Sequence, residues 1–548
     1  MFSLRRPFRV VQQCLLALLL HSTTCLGQAG QSGCLSFTLG DLSNVTLSRA
    51  TYYAANTTVN STNLWQSIDV DNLPAFCRLE LSITTNSTAD SSCVTEIWLP
   101  DSWNGRVLTV GNGGYAGGGA SLTCSSSFAV AGISTDTGHS STATDGTWGG
   151  PHNDNTIVDW GWRAMHLSVV VGKEVVKQYY GEAQNTSYYM GCSTGNLDAL
   201  LKLKEVQMFP EDFDGVIVGS PANWQTRIQD WSVHMNLNVQ PNTSARFIPE
   251  SVWVDVIHPE VLRQCDAIDG LADGIINDPR FCDFRPEILT CRPGQNESTC
   301  LTLAQLGAVH RIYTDYYEFN QEWINGRYYP GGETEYPLGL VGKPFIGGQE
   351  WFQYFVLNDT QWKLEQYNAS LIPLADGIDP GQANAIERNL TSFAGPGHNG
   401  KLLQYVGWAD QLISPGNSIH YYESVYAFTR AYTDLDINDF YRLFTVPGMN
   451  HWYVDISGYS ANAFGGVQQA SAGMPPLSLS PENNVLAAMV QWVEEGVAPT
   501  SFVAVHYNDN NVEDGVAFTR PLCQYPTSLR YTGGNETDAG SFECGDSI

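Results

Sequence analysis

Basic residues are scarce in this chain of 548 residues: 27 lysines and arginines stand against 56 aspartates and glutamates, for a formal charge of −29. Nucleic acids and anionic membrane surfaces attract basic proteins and repel acidic ones. We therefore expect neither nucleic acid nor a membrane as a partner. The same charge suits an extracellular protein that stays soluble in acidic surroundings.

Long apolar runs are also missing, and beyond the N-terminus none is long enough to span a bilayer. The N-terminus itself combines three arginines, a short apolar run from Cys14 to Leu20 and small residues near Gly27. This pattern predicts a signal peptide over residues 1–27 and a secreted, extracellular protein.

Sequons and cysteines agree with secretion. Eleven N-x-S/T sequons predict N-linked glycans, for example at Asn44, Asn56, Asn60, Asn185, Asn242, Asn389 and Asn535. Of the 13 cysteines, Cys14 and Cys25 are expected to leave with the signal peptide. Eleven remain, so one is left over if the others pair in an oxidising compartment.

No internal repeat is present, and apolar strand-like runs alternate instead with helical patterns over residues 95–221 and again from residue 401. This alternation predicts an α/β fold with a mostly parallel sheet and helices on both faces. Residues 33–90 are rich in Asn, Ser and Thr with few helical stripes. Residues 222–395 are aromatic, cysteine-bearing and loop-rich. We predict one core, residues 28–221 and 396–548, interrupted by an insertion at 222–395.

The pentapeptide "GCSTG", residues 191–195, matches the G-x-S-x-G motif between a predicted strand and a predicted helix. A serine at such a tight turn needs small neighbours, and the turn exposes its hydroxyl. The helix N-terminus then offers backbone N–H groups to a developing oxyanion. The pattern predicts Ser193 as a nucleophile; the alternative is a glycine-rich turn with an ordinary serine.

Downstream of Ser193, an acid and a histidine follow in the order that α/β-hydrolases use. Asp410 ends the strand-like "KLLQYVGWAD", and His451 follows the strand-like "FYRLFTVPGMN". Both lie where loops leave strand ends, which is where open α/β sheets place their sites. His451 would act as base and Asp410 would orient it. The alternatives are a turn aspartate and a hydrogen-bonded loop histidine. Other histidines, such as His166, lack this placement.

An oxyanion site needs a second backbone N–H from the loop after an earlier strand. The glycine-rich "GNGGYAGGG", residues 111–119, follows such a strand. We predict Gly114, with Gly113 beside it, and the N–H of Thr194 as donors, since glycine lets the backbone approach a substrate closely. The alternative is a flexible surface turn.

These motifs, together with "IWLPDSWNGR", "FDGVIVGSPA", "CDAIDGLADGIINDPRFCDF", "GWADQLISP" and "PGMNH", resemble the tannase/feruloyl esterase family over most of the predicted mature chain. The resemblance implies an α/β-hydrolase core with a lid domain at residues 222–395. It also implies a catalytic triad of Ser193, Asp410 and His451. The implied function is a secreted serine carboxylic ester hydrolase that cleaves esters of hydroxycinnamic or gallic acids through an acyl-enzyme. Such substrates are small phenolic esters, including ones attached to plant cell-wall polysaccharide.

The chain departs from the family pattern at two positions. The family implies a disulfide from the cysteine before the nucleophile to one after the histidine; here Cys192 is present, but position 452 is tryptophan. Asn196 stands where the family usually has glycine. Ten cysteines remain; family spacing implies four pairs and Cys93–Cys124 is left, although sequence alone cannot fix connectivity. The implied pairs are Cys34–Cys77, Cys265–Cys282, Cys291–Cys300 and Cys523–Cys544.

The acidic stretch "CDAIDGLADGIIND" begins at Cys265. Closely spaced carboxylates and glycine turns suit Ca²⁺, although a solvated acidic loop is the alternative on spacing alone. The family resemblance implies a structural calcium ion in the lid. Its ligands would be the side chains of Asp266, Asp269 and Asp273 with the carbonyl oxygens of Leu271 and Ile275.

Two functional hypotheses remain open at this stage. The first is the esterase, within which feruloyl esterase and tannase are not separated. The second is a catalytically weak or inactive family member that serves as a phenolic- or polysaccharide-binding glycoprotein, an alternative motivated by Trp452 and Asn196.

Overall fold

A computed structural model describes residues 30–546 apart from 63–66, 112, 119–121, 123–128, 194–197, 319, 452–459, 467–468 and 470–472. Several sequence predictions lie outside the described residues: the signal peptide at 1–27, the Thr194 donor, and the positions Cys124, Asn196 and Trp452. No helix among the described residues combines the length and apolar character needed to cross a membrane.

The strands, in chain order, are β1 (Val45–Tyr53), β2 (Val59–Thr62), β3 (Ser67–Val70), β4 (Phe76–Asn86), β5 (Ser91–Pro100), β6 (Arg106–Val110), β7 (Ala131–Thr135), β8 (Thr186–Cys192), β9 (Gly215–Gly219), β10 (Tyr316–Tyr317), β11 (Trp323–Asn325), β12 (Lys401–Gly407), β13 (Tyr441–Val446), β14 (Ser501–Tyr507), β15 (Val516–Cys523), β16 (Ser528–Tyr531) and β17 (Phe542–Gly545). Nine of them form a central sheet in the spatial order β1-β4-β5-β7-β6-β8-β9-β12-β13. The others form two-stranded pairs.

The half of the sheet from β7 to β13 is parallel, with neighbours in the order β7-β6-β8-β9-β12-β13. Parallel neighbours bring their carboxyl ends to one edge of the sheet, where the loops that follow β6, β8, β12 and β13 therefore meet. The half formed by β1, β4 and β5 is antiparallel.

The helices, in chain order, are α1 (Gln31–Ser36), α2 (Asp154–Val158), α3 (Ala164–Tyr180), α4 (Asp198–Met208), α5 (Gln225–Val239), α6 (Glu250–Val252), α7 (His258–Cys265), α8 (Leu303–Ile312), α9 (Ile346–Glu350), α10 (Leu371–Ile378), α11 (Thr391–Ala394), α12 (Pro415–Tyr432) and α13 (Val485–Glu495). A π-helical turn, Asp159–Arg163, joins α2 to α3. Local sequence sets several ends: Ser414 caps α12 ahead of Pro415, and Asn484 caps α13 by accepting from the Ala487 N–H.

Helices cover both faces of the parallel half, as the alternating pattern predicts. Tyr188 and Met190 of β8 pack in one apolar cluster with Met489 and Trp492 of α13. Tyr189, whose side chain points the opposite way, belongs to a second cluster that includes residues of α3 and α4. Burial on both faces explains why these strands read as continuous apolar runs.

The long segment between β9 and β12 contributes, among its described residues, no strand to the central sheet. It holds α5 to α11 and the β10–β11 hairpin. Its aromatic side chains are mostly internal: Trp231, Tyr328 and Trp351 are all fully buried and join the same cluster as α3 and α4. The predicted lid therefore packs directly against the core, while its boundaries at 222 and 395 stay a prediction.

Four of the implied disulfides are present: Cys34–Cys77, Cys265–Cys282, Cys291–Cys300 and Cys523–Cys544. The expected Cys93–Cys124 pair is wrong, because Cys93 is an unpaired, buried thiol. Its Sγ lies 3.8 Å from Ser168 Oγ, under α3. Burial there raises the pKa of the thiol to about 12 and keeps it protonated.

Candidate active site

Three chemically distinct side chains follow three parallel strands at the same sheet edge. Ser193 comes directly after β8, Asp410 lies three residues beyond β12, and His451 lies five residues beyond β13. Because β8 is joined to β12 through β9, and β12 pairs with β13, these loops are neighbours in space. The sheet topology therefore brings together residues that are hundreds of positions apart in the chain.

The turn that carries Ser193 has a strained backbone. Ser193 has a φ of 92°, a region that residues other than glycine seldom adopt. Its N–H donates to the carbonyl oxygen of Gly219, at the end of β9, over 2.9 Å. This bond secures the turn against the neighbouring strand, and the strained conformation is the one expected of a nucleophile between a strand and a helix.

Ser193, His451 and Asp410 form one hydrogen-bonded chain. Ser193 Oγ lies 2.5 Å from His451 Nε2, and His451 Nδ1 lies 2.7 Å from Asp410 Oδ2. A carboxylate can only accept, so Nδ1 carries the proton and Nε2 is the acceptor for the serine hydroxyl. The imidazole is thereby held in the tautomer that a base needs.

Both carboxylate oxygens of Asp410 accept hydrogen bonds. While Oδ2 faces His451, Oδ1 accepts the backbone N–H groups of Leu412 at 2.9 Å and Ile413 at 2.7 Å. The side chain is fully buried. These hydrogen bonds satisfy both oxygens of the buried side chain and prevent its rotation.

Gln411, which the sequence analysis did not single out, connects the acid loop to the histidine loop. Its Oε1 accepts the backbone N–H of His451 over 2.8 Å. Its own carbonyl oxygen accepts the hydroxyl of the buried Tyr328, in the long insertion. Gln411 therefore ties the histidine to the neighbouring loop and to the insertion without a covalent bond. The signal in the sequence was only its place beside Asp410.

The predicted oxyanion loop is held by a backbone that requires glycine. Gly114 has a φ of 70°, and a Cβ there would lie 2.0 Å from the carbonyl oxygen of Ala143. The next residue, Tyr115, donates its N–H to that same oxygen over 2.8 Å.

His139 supports the same loop: its Nε2 donates to the Tyr115 carbonyl over 3.0 Å, and burial lowers the pKa of His139. A neutral imidazole therefore supports this loop. Whether Gly114 is an oxyanion donor stays a prediction.

Comparison with known proteins shows which family this chain represents. The family model described as tannase and feruloyl esterase matches residues 77–344 and 345–545. A probable feruloyl esterase B-1 of Aspergillus oryzae is 35% identical over 532 residues, which cover 94% of each chain. The chain belongs to the tannase and feruloyl esterase family.

Solved structures of this family agree with the architecture. Feruloyl esterase B from Aspergillus oryzae has a TM-score of 0.84 at 33% identity and covers 94% of this chain and 99% of its own. A tannin acyl hydrolase from Aspergillus niger has a TM-score of 0.71 at 21% identity, with 95% of each chain covered, and supports the fold alone. The predicted family and α/β-hydrolase fold are confirmed. The chain is a carboxylic ester hydrolase.

The acidic loop of the family resemblance is partly buried. Burial, with the nearby Asp273 carboxylate adding to it, raises the pKa of Asp269 to about 6 and also raises that of Asp266. Asp266 accepts the Gly274 N–H at 3.1 Å, and Asp273 pairs with Arg520 at 2.7 Å. In the described part of the chain, the three carboxylates do not all converge to within 4.8 Å of one another. Asp273 thus already has a cationic partner in Arg520, and a calcium ion in this loop stays a prediction.

Replacing Gln411 by methionine, which keeps its length but loses the acceptor, is expected to lower the kcat of this esterase about 10- to 100-fold. The reason is that the His451 loop loses its tie to the acid loop, and small misplacements of a catalytic group cost about that much. Steady-state kinetics on a methyl ester would measure it. Gln404→Met is the control, because that glutamine is equally buried and accepts from Tyr441 away from the site. Equal losses in both variants would contradict a positioning role for Gln411.

Proposed function

We propose that the chain is a secreted serine esterase that hydrolyses esters of phenolic acids through Ser193, His451 and Asp410. The observation that carries this proposal is the continuous hydrogen-bond chain from the serine hydroxyl through the imidazole to the carboxylate. All three groups stand in contact although the cysteine that family members place after the histidine is replaced by tryptophan. This contact favours an active enzyme over a silent binding protein.

In the first step, Ser193 Oγ attacks the ester carbonyl carbon while its proton passes to His451 Nε2. The tetrahedral intermediate collapses, the carbon–oxygen bond to the alcohol breaks, and His451 returns the proton to the leaving alkoxide. The acid part of the substrate remains bound to Ser193 as an ester. Asp410 stabilises the imidazolium during each transfer and stays ionised.

In the second step, His451 takes a proton from a water molecule, and the resulting hydroxide attacks the acyl-enzyme carbonyl. The bond to Ser193 Oγ breaks, the serine recovers its proton, and the free phenolic acid leaves. The backbone N–H groups of Gly114 and Thr194 would stabilise the negative oxygen of both tetrahedral intermediates. The positive φ of Ser193 fits a nucleophile whose turn leads into such a donor.

The substrate proposal rests on the relatives. Those at 35% identity are probable feruloyl esterases, whereas the tannin acyl hydrolase is a more distant likeness. We therefore place hydroxycinnamic esters ahead of gallates for this chain, including esters on plant cell-wall polysaccharide. A fluorophosphonate probe with mass spectrometry of the labelled peptide, together with methyl ferulate, caffeate, p-coumarate and gallate as substrates, tests the proposal. Label at Ser193 with turnover of a hydroxycinnamate supports it; no label and no turnover refute it.

Secretion and glycosylation belong to the same proposal. The four disulfides between described cysteines need an oxidising compartment to form and persist. Sequon asparagines such as Asn242 and Asn389 are exposed and thus accessible to glycan transfer.

We also propose a structural calcium ion in the acidic loop between Cys265 and Cys282. Its oxygen-only donors suit Ca²⁺, and a bound cation would offset the burial and mutual repulsion that raise the carboxylate pKa values. The ligands would be the side chains of Asp266, Asp269 and Asp273 and the carbonyl oxygens of Leu271 and Ile275. The ion would hold the carboxylates of this lid loop together and would take no part in ester cleavage.

Chelation with EGTA is expected to lower the Tm by roughly 2–5 °C, and added Ca²⁺ should restore it, because a ligand that binds only the folded state stabilises it. Differential scanning calorimetry would measure both changes. Asp266→Asn should abolish the calcium dependence, while Asp283→Asn should keep it, since Asp283 is an exposed partner of Arg285 outside the loop. If EGTA left the Tm unchanged and elemental analysis found no calcium, the ion would be excluded.

A further inference from the structure

A second cluster of ligating side chains lies away from the Ser193 site, where α3 and α4 pack together. His166 is on α3, Glu205 is on α4, and Asp212 follows α4 in the turn before β9. One ligand atom from each lies within 4.8 Å of the others. His166 Nδ1 is 2.8 Å from Asp212 Oδ2 and 3.8 Å from Glu205 Oε2.

Glu205 is the member that requires an explanation. It is fully buried, and neither of its carboxylate oxygens accepts a hydrogen bond from any described residue. A buried carboxylate without donors is costly, and here a second carboxylate, that of Asp212, lies beside it. Burial and this neighbour raise the pKa of Glu205 well above its usual value. The pair needs a positive charge between its oxygens, supplied by a proton or by a metal ion.

The charge of Lys173 acts on Glu205 from a distance and lowers its pKa, but among the described side chains no cationic group bonds to that carboxylate. The ammonium of Lys173 donates to the backbone carbonyl of Asp212 rather than to either carboxylate. The ring of Phe209 covers His166, with ring centres 3.6 Å apart. His166 and Asp212 are nevertheless partly exposed at their side chains, 23% and 12%, so the cluster has an entry path from solvent.

We propose that His166 Nδ1 and one oxygen each of Glu205 and Asp212 bind a divalent transition metal, with Zn²⁺ the best match. Three protein ligands of this type with water in the fourth position are a common tetrahedral zinc arrangement. The imidazole nitrogen argues against Ca²⁺ and Mg²⁺, which take oxygen ligands. The site is distinct from the acidic loop in both its residues and its ligand chemistry.

The position of the cluster gives the metal a structural role. It would cross-link α3 to α4, and α4 is the helix that begins five residues after Ser193. A metal bound by residues of both helices would hold the C-terminal half of α4, which contains Glu205, in place. It would do so without approaching the reacting atoms at Ser193. We therefore expect metal binding to appear first in stability and in spectroscopy.

The test uses purified protein that has been stripped with a strong chelator and returned to chelator-free buffer. Titration calorimetry with Zn²⁺ is expected to show one site of micromolar or tighter affinity, and the Tm should rise by a few degrees. Co²⁺ in place of Zn²⁺ should give visible absorption bands typical of a tetrahedral N/O site. Excess Ca²⁺ should not compete.

Glu205→Gln is the decisive variant, because it keeps the shape of the side chain and removes only its charge. It should weaken Zn²⁺ binding at least about tenfold and abolish the Co²⁺ bands, while the metal-free variant stays at least as stable as the metal-free parent. His166→Ala should give the same binding loss. Asp273→Asn, in the acidic loop, and His310→Ala, at an exposed His–Glu pair, should bind Zn²⁺ like the parent.

Two results would overturn the proposal. One is the absence of a saturable Zn²⁺ site in the stripped parent protein, which would mean that a proton shared by Glu205 and Asp212 neutralises the cluster. The other is unchanged binding in Glu205→Gln, which would place the metal elsewhere. Loss of binding in His310→Ala alone would count equally against it, since that result assigns the metal to the surface pair.

Discussion

Ser193→Ala is expected to lower kcat/KM for methyl ferulate by roughly 10⁴- to 10⁶-fold. Alanine removes the hydroxyl that we propose forms the acyl-enzyme, while the 2.9 Å bond from the backbone N–H of residue 193 to Gly219 remains. The fold should therefore survive, and the Tm should change by no more than a few degrees. Product formation measured by chromatography over hours would detect the residual rate, which binding and the oxyanion donors alone can sustain.

Ser168→Ala is the matched control for that loss. Ser168 is fully buried, and among the described residues its hydroxyl contacts Ala164 O within α3 and Thr95 Oγ1 and Cys93 Sγ of β5. We expect this variant to keep its kcat/KM within about threefold. If Ser193→Ala retained more than a tenth of the parent activity, Ser193 could not be the nucleophile. The alternative, a family member that binds phenolic or polysaccharide ligands, would then be favoured.

The parallel half of the sheet could be predicted because each of its strands is recognisable from its own residues alone. Residues of β8, β9 and β12 are buried on both faces, and each strand has a glycine at or next to its end, so each reads as an apolar run followed by a loop. Chain order then predicts the candidate site, since Ser193, Asp410 and His451 all follow such strands. Parallel pairing needs no further information to bring those loops to one edge.

The antiparallel half could not be recognised in the same way. β4 alternates strictly between buried and partly exposed residues, from Leu79 through Ile83, but its outward residues are polar and its surroundings are rich in Asn, Ser and Thr. From the composition of residues 33–90 we predicted few helices, and the strands there were not identified. An alternating strand with one polar face is stabilised by its neighbours β1 and β5, and that pairing is not visible in the strand itself.

Contacts between distant segments were the other limit. Nothing local shows that Tyr328 of the insertion reaches the carbonyl of Gln411, or that Cys93 faces Ser168 under α3 rather than a second cysteine. Both outcomes depend on how helices pack, which involves residues far apart in the chain. The family resemblance supplied four disulfides correctly because spacing is inherited, but it gave no pairing for Cys93, and the chain lacks the cysteine that it implies after His451.

Asp410→Asn is expected to lower kcat about 10³- to 10⁴-fold with little change in KM or Tm. The structure gives the reason. Asp410 Oδ1 accepts two backbone N–H groups, at 2.9 and 2.7 Å, so the amide oxygen of an asparagine must occupy that position and its NH₂ group must face His451. An NH₂ group donates, so Nδ1 becomes an acceptor and the ring proton moves to Nε2. The imidazole then cannot accept the proton of Ser193.

Asp436→Asn provides a matched control, because Asp436 also accepts the backbone N–H two residues ahead but is exposed and precedes β13, whereas His451 follows that strand. Its kinetics should equal those of the parent. A Ser193→Ala/Asp410→Asn double variant should be no slower than Ser193→Ala alone, since residues that act as a unit are not additive. Additive losses would show that Asp410 contributes in some way other than through His451. A single Asp410→Asn variant within tenfold of the parent would show that the 2.7 Å contact does not control the tautomer of His451.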